Sequence, residues 1–231
     1  MDYIAQGFAQ AVKLLVSGDP ETYSAVFTTV KASSLSIAVS LVLGIPAGFF
    51  LGYYRFPGKR QLRAVFDTLL ALPTVVVGLF IYALISRRGP LGRYGLLFTI
   101  PGIAVAQTVL VLPIVISLTA TAIENIDERF RHTVSTLGAR GWQIVAASLL
   151  ESRHAILAAA VTAYGRAISE VGISMMIGGN IKWHTRTITT AIALETGKGQ
   201  FSMGIALGII LLLLAFLVNA LLIFLRRRMH G

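Results

Sequence analysis

Cysteine is absent from the 231 residues. That excludes disulfides, thiol catalysis and Cys-based metal sites, and leaves the redox compartment open. Charge is scarce too: Asp, Glu, Lys and Arg make up only 13%, about half the usual globular share. The apolar fraction is 55%, and a soluble domain so composed would aggregate. No Gly-x-x-x-x-Gly-Lys-Ser/Thr run occurs, so the chain has no P-loop for ATP phosphates. His132, His154 and His184 lie outside the apolar runs without carboxylates at metal-ligand spacing, and no Ser/His/Asp arrangement is visible. The pattern of absences points away from an enzyme and toward an all-α integral membrane protein.

Five apolar stretches approach or exceed the roughly 20 residues a bilayer requires: Ser24 to Tyr53, Ala64 to Ser86, Ile100 to Ile123, Ala155 to Ile177 and Met203 to Leu225. The net charge of +10 is concentrated in short segments flanking these runs rather than on one face, which fits a membrane protein and not nucleic-acid binding. Arg55, Lys59, Arg60 and Arg63 after the first span, and Arg226, Arg227 and Arg228 at the end, assign those segments to the cytoplasm. The N-terminus is then outside and the C-terminus cytoplasmic, with residues 124–154 inside. Met1 to Gly18 lacks a basic leader region and is too short and polar to span, so a cleaved signal peptide is not expected. Its residues Tyr3, Ile4, Phe8, Ala11, Val12 and Leu15 recur at helical spacing. Residues 1–22 thus form an amphipathic segment, lying on the membrane or packed against the remaining domain, 23–231.

Ala32, Ser36, Ser40, Gly44, Gly48 and Gly52 follow one another at every fourth position, a stripe for close helix approach that should be buried in protein. Pro46, Pro73 and Pro113 each interrupt one of the first three spans and permit kinks. Arg166 and Glu170, with Ser169 between them, are expected about midway across the fourth span on one helix face. Ionisable residues at that depth cost at least ~2.5 to 3.5 kcal/mol on insertion scales, which makes them functional candidates. They either line a pathway for an anion or form an ion pair that fixes helix register; both readings bury the face. No other Lys or Arg of the spans is expected to compensate an anion there. Outside, Arg87, Arg88, Arg93, Lys182 and Arg186 favour an anionic solute or an acidic docking partner, or are ordinary solvated loop charges.

The long connection between the third and fourth spans reads as a helix-turn-helix. Phe130, Val134 and Leu137 share one face, Gly138 stops the first helix, and Trp142, Val145 and Leu149 begin a second face after Gly141. Thr136-Leu137-Gly138-Ala139, followed by Arg140, Gly141 and Trp142, resembles the centre of the cytoplasmic loop of ABC importer permeases. His132, Thr133 and Val134 stand at that motif's opening Glu-Ala-Ala positions, and Glu151 where a proline is usual. Leu72-Pro73-Thr74-Val75-Val76-Val77-Gly78-Leu79, Arg88-Gly89-Pro90-Leu91-Gly92 and Gly165-Arg166-Ala167-Ile168-Ser169-Glu170-Val171-Gly172 are similar to the molybdate and tungstate branch of that family. Gly178-Gly179-Asn180-Ile181, Thr185-Arg186 and the run Thr189 to Thr196 are closer to its tungstate members.

The resemblance implies a type I (MetI-like) transmembrane domain of about five transmembrane helices plus a coupling hairpin at 124–154, in a bacterial inner membrane. It implies a homodimer, two cytoplasmic ATPase subunits that carry ATP and Mg, and a periplasmic or lipid-anchored oxyanion-binding protein, with lipid around the spans, no nucleic acid and no cofactor on this chain. Tungstate, molybdate or another oxyanion would then cross by alternating access. Two readings of other classes compete. A self-sufficient ion-coupled carrier would carry internal repeats, which are not seen here. A membrane anchor without transport would leave Arg166 and Glu170 unexplained.

Overall fold

A computed structural model describes residues 2–228; the side chains of residues 2, 131, 135 and 221–228, among them the Arg226 to Arg228 charges, lie outside that description. The described residues are helical, without strands: α1 (Asp2–Val16), α2 (Pro20–Tyr53), α3 (Lys59–Leu69), α4 (Thr74–Ile85), α5 (Ile100–Glu124), α6 (Glu128–Thr136), α7 (Trp142–Glu151), α8 (Arg153–Ile168), α9 (Gly172–Gly178), α10 (Ile188–Gly197) and α11 (Phe201–Arg228). A single 3-10 turn occupies Gly92–Tyr94.

Only α2, α5 and the Phe201–Ala220 part of α11 are long and apolar enough to cross a membrane as single helices. The second expected span is instead a bent pair, α3 and α4 meeting at 98°. Proline has no N–H to continue a helix and pushes the residue before it out of helical geometry, and Pro73 is accordingly the N-cap of α4. Pro46 and Pro113 behave differently, since α2 and α5 run through them. The fourth expected span is also divided: α8 ends at Ile168 and α9 resumes at Gly172. Between α9 and α11, where the sequence suggested only an external loop, the chain folds α10 into the bundle with Ile188, Thr189, Thr190 and Ala191 buried.

The small-residue stripe is the seam between α2 and α5. Ala32, Ser36, Ser40, Gly44, Gly48 and Gly52 are all buried. A Cβ built on Gly48 would stand 2.7 Å from the Ile116 carbonyl oxygen, and one on Gly52 2.6 Å from that of Ala120. The two backbones therefore touch where the sequence removes side chains. Around this seam, Val111 and Val115 of α5, Ala163 and Ala167 of α8, and Ile173 and Ile177 of α9 form the main core.

One end of the bundle carries the α6–α7 hairpin. Lys59 and Glu124, paired at 3.0 Å, place the basic α2–α3 connection at that same end. The opposite end carries the start of α2, the α10–α11 turn and α1. Packing against the rest of the domain decides between the two expectations for the amphipathic N-terminus: Tyr3 meets Phe201 edge to face at 6.1 Å, Gly7 lies against Ile205, and Leu14 and Leu15 join a cluster with Leu207 and Ile210. Its other face leaves Ile4, Phe8, Val12 and Val16 exposed, as a helix bordering lipid should.

Candidate functional site

The break between α8 and α9 is built around one carboxylate. Glu170 is 2% exposed. Its Oε2 accepts a hydrogen bond from Arg166 Nη1 at 3.0 Å, and its Oε1 accepts the backbone N–H of Ile173 at 3.1 Å, capping the start of α9. The Glu170 carbonyl accepts the hydroxyls of Ser174 at 3.2 Å and Thr189 at 2.9 Å. On the other side of the break, Gln107 Nε2 donates to the Ala167 carbonyl at 3.1 Å. Interrupting a buried helix frees backbone groups that must find partners, and these side chains supply them.

Three helices begin around this break. A Cβ on Gly172 would lie 3.4 Å from Glu170 Oε1 and 3.5 Å from Thr74 Oγ1, which sets the first residue of α4 beside the first residue of α9. Thr189, in the first turn of α10, reaches the Glu170 carbonyl. Helix starts carry partial positive charge, and the Glu170 carboxylate meets the start of α9 together with Arg166.

The sequence expectation that Arg166 and Glu170 meet is fulfilled. Gln107, level with the break, stands only ~10 Å along α5, a helix of ~37 Å that starts at Ile100. The break therefore lies level with the first third of α5, counted from Ile100. Glu170 is buried but the Arg166 side chain is 39% exposed. Ser169 is exposed and donates to the Arg166 carbonyl at 3.2 Å, and nothing lies within 4 Å of a Cβ on Gly165. This face of α8 is open in the single chain. A second cation of the spans, Lys31, is exposed on α2, with its ammonium 5.7 Å from the Phe27 ring centre.

Four of the five external basic residues fall into two groups. Lys182 pairs with Glu21 at 2.6 Å, and Arg186 bonds both Glu21 and the Asn180 side-chain oxygen. These two tie the 179–187 loop to the start of α2 and share one carboxylate. Arg87 and Arg88 line a separate pocket of ≈ 570 Å³ with Tyr82, Ser86 and Phe98. Arg93 lies over the Tyr94 ring at 4.9 Å.

The hairpin forms as the sequence suggests, with a different division of its apolar residues. Gly138 has φ +79° and Gly141 φ +52°, conformations that favour glycine. The Ala139 N–H bonds the Val134 carbonyl at 3.3 Å, closing α6 after its last turn. Phe130, Val145 and Leu149 pack with Phe49, Ile123 and Ile126. Leu137 and Trp142, expected to share those packed faces, are instead 81% and 77% exposed. The turn swings both side chains away from the bundle, so that Thr136, Leu137, Gly138, Arg140, Gly141 and Trp142 form an exposed tip, with Ala139 partly covered. Arg140 turns its backbone N–H to Gln143 Oε1 at 3.1 Å.

Gln107 and Ser174 do not stand out in the sequence, and Thr189 enters it only as the first residue of a run similar to the tungstate members. A lone amide in the apolar α5 was the one available signal, because the partners of the other two are carbonyls exposed only by the break.

Comparison with known proteins follows the same lines. Residues 44–231 match the family model described as binding-protein-dependent transport system inner membrane component. The tungstate uptake system permease protein of Campylobacter jejuni is 47% identical, over 95% of this chain and 92% of that protein. The protein of the same description from Peptoclostridium acidaminophilum is 42% identical, over 95% of this chain and 96% of its own length. Among solved structures, the inward-facing MetNI methionine ABC transporter superposes with a TM-score of 0.73 at 20% identity, covering 91% of this chain and 98% of that one, a likeness of fold.

Proposed function

The chain belongs to the family of binding-protein-dependent transport system inner membrane components, and from that membership we propose that it is the permease subunit of an ATP-driven importer for tungstate. Two copies enclose the pathway, each presenting the open α8 face with Gly165, Arg166 and Ser169. Two ATPase subunits bind ATP and Mg and seat the tips of the α6–α7 hairpins. A binding protein delivers the oxyanion at the opposite end, where Arg87 and Arg88 are available to an anion or an acidic surface. The hairpin end faces the cytoplasm, which leaves the N-terminus outside and the C-terminus inside. This chain contributes no cofactor and no hydrolytic chemistry.

The observation that carries the proposal is the broken helix, with a half-exposed arginine paired to a buried carboxylate at a helix start. Discontinuous helices with their starts aimed at an anionic group are a recurrent way to hold solute within a membrane. Arg166 compensates the charge of a dianion in a region of low dielectric. Glu170 competes for the same arginine and keeps the anion from being held too firmly. The description of both relatives as tungstate permeases supports the substrate.

The test is reconstitution in liposomes with the ATPase subunit and the binding protein. Tungstate should stimulate ATP hydrolysis and accumulate inside, with molybdate and sulfate as competitors to rank selectivity. Accumulation by this chain alone, driven by an ion gradient, would establish a self-sufficient carrier and overturn the reading.

A further inference from the structure

The bend between α3 and α4 leaves α3 lying across the spans, at 98° to α4. Its level is set by the last turns of α5: Arg63 donates to Thr121 Oγ1, and Ser117 Oγ donates to Asp67 Oδ1 at 2.6 Å. Aromatic rings collect at this level. Phe49 stacks on Tyr53 at 5.1 Å, Phe50 meets Tyr54 at 5.1 Å, and Phe56 stacks on Phe50 at 5.5 Å. Phe50 and Tyr54 are exposed there while Phe49 is buried, and exposed aromatic rings with a polar tip such as Tyr54 favour the boundary between hydrocarbon and headgroups. α3 therefore lies in the headgroup layer at the hairpin end.

Residues 55–63 hold four cations and no acid. Three of the cations have carboxylates nearby. Lys59 and Arg63 reach Glu124 at 3.0 and 3.9 Å, Arg63 also pairs with Asp67 at 3.4 Å, and Arg55 comes within 4.0 Å of Glu128 in open solvent. Arg60 has no carboxylate partner among the described residues. It lines a pocket of ≈ 460 Å³ with Phe56, Gly58, Lys59, Gln61 and Arg63, whose single acid, Glu124, is already neutralised by two cations. On the face of α3 away from Arg60, Leu62 and Val65 are 40% and 53% exposed. A free guanidinium on one face of α3 and exposed aliphatic side chains on the other suit a helix lying flat between hydrocarbon and headgroups, where the phosphodiester of an anionic lipid is within reach of the cation.

We propose that α3 is a binding site for anionic phospholipid of the hairpin-side leaflet, with Arg60 gripping the phosphate. Basic clusters next to a spanning helix attract anionic headgroups. The pocket adds a defined place for one of them. This inference rests on the family's membrane placement and not on the tungstate reading, so it can be tested without transport.

The protein is purified in mild detergent and offered equal amounts of phosphatidylglycerol and phosphatidylcholine, and retained lipid is counted by native mass spectrometry. The parent should retain phosphatidylglycerol about fivefold over phosphatidylcholine, the order of preference a single headgroup-facing cation confers. Arg60→Gln should bring the ratio close to one. Arg60→Lys, which keeps the charge, and Arg55→Gln, which lies outside the pocket, should both preserve the preference and show that the fold is intact. No preference in the parent, or an unchanged preference in Arg60→Gln, overturns the proposal. Equal loss in Arg55→Gln overturns it as well, since that marks a diffuse charge effect. If Arg60→Gln retains lipid normally but no longer copurifies with the ATPase subunit, Arg60 is a protein contact and the lipid site falls.

Discussion

Glu170 and Arg166 form one ion pair with two unequal members. The carboxylate is almost wholly buried, whereas the arginine side chain keeps 39% of its surface. Removing either partner therefore has different consequences. Arg166→Gln leaves a buried charge supported only by the Ile173 N–H. Glu170→Gln leaves an arginine that can turn toward water, and the new amide oxygen can still accept from Ile173. Arg166→Gln should thus be the more destabilising change, by about 1 to 3 kcal/mol, with the double variant closer to the parent than Arg166→Gln alone. Thermal melting in detergent measures this order. Transport gives the second readout. If Arg166 compensates the anion, uptake falls in Arg166→Gln and in the double variant alike, while assembly and basal ATP hydrolysis persist. Near-parental uptake by a well-assembled double variant confines the pair to holding the break together.

At the scale of elements, the α2–α5 seam can be separated from glycines that merely occur in helices. A methyl group on Gly52 would meet the Ala120 carbonyl oxygen, and one on Gly48 that of Ile116; a helix backbone cannot turn aside as a side chain can. Gly48→Ala and Gly52→Ala should each cost about 1 to 3 kcal/mol through overpacking. Gly208→Ala on α11, with nothing within 4 Å, should change the melting temperature little. Equal effects at all three positions would remove the seam as the reason for the stripe. This seam was legible in the sequence because small residues at every fourth position leave one helix face nearly bare, and a neighbouring backbone fills such a face best. The two broken spans were not, because an apolar run reads alike whether it is one helix or two half-helices. What fixes the α8–α9 break lies far away along the chain, in Gln107 and Thr189. Helix α10 was hidden for a related reason: its start is rich in threonine and looks like a polar loop. Those hydroxyls are satisfied inside the bundle, with Thr187 and Thr189 2.9 Å apart and the Ile188 N–H bonding Thr29 Oγ1 at 2.9 Å, so burying them carries no penalty for unpaired groups.

At the scale of the whole molecule, two exposed regions bear on function, and they lie on different parts of it. One is the α8 face around Gly165. The other is the hairpin tip, where Leu137 and Trp142 project on either side of a turn held by Gly138 and Gly141. Fully burying a large apolar side chain contributes roughly 1.5 to 3 kcal/mol, so a partner that covers the tip gains from both residues. Trp142→Ala should accordingly weaken the affinity for the ATPase subunit by ~2 kcal/mol or more, as for a central aromatic anchor, measured by titration of the two purified proteins. Gly138→Leu acts on the same tip through the backbone. The φ of +79° at Gly138 lies in the left-handed region, where a branched side chain is strained, while the open space around it means that no contact within the bundle is lost. Membrane insertion and the melting temperature of the spans should therefore stay near parental values. The hairpin should seat poorly, and the stimulation of ATP hydrolysis by tungstate and its binding protein should fall severalfold. A Gly138→Leu complex that assembles and hydrolyses ATP like the parent would show that the hairpin is not the element joining the pathway to the ATPase.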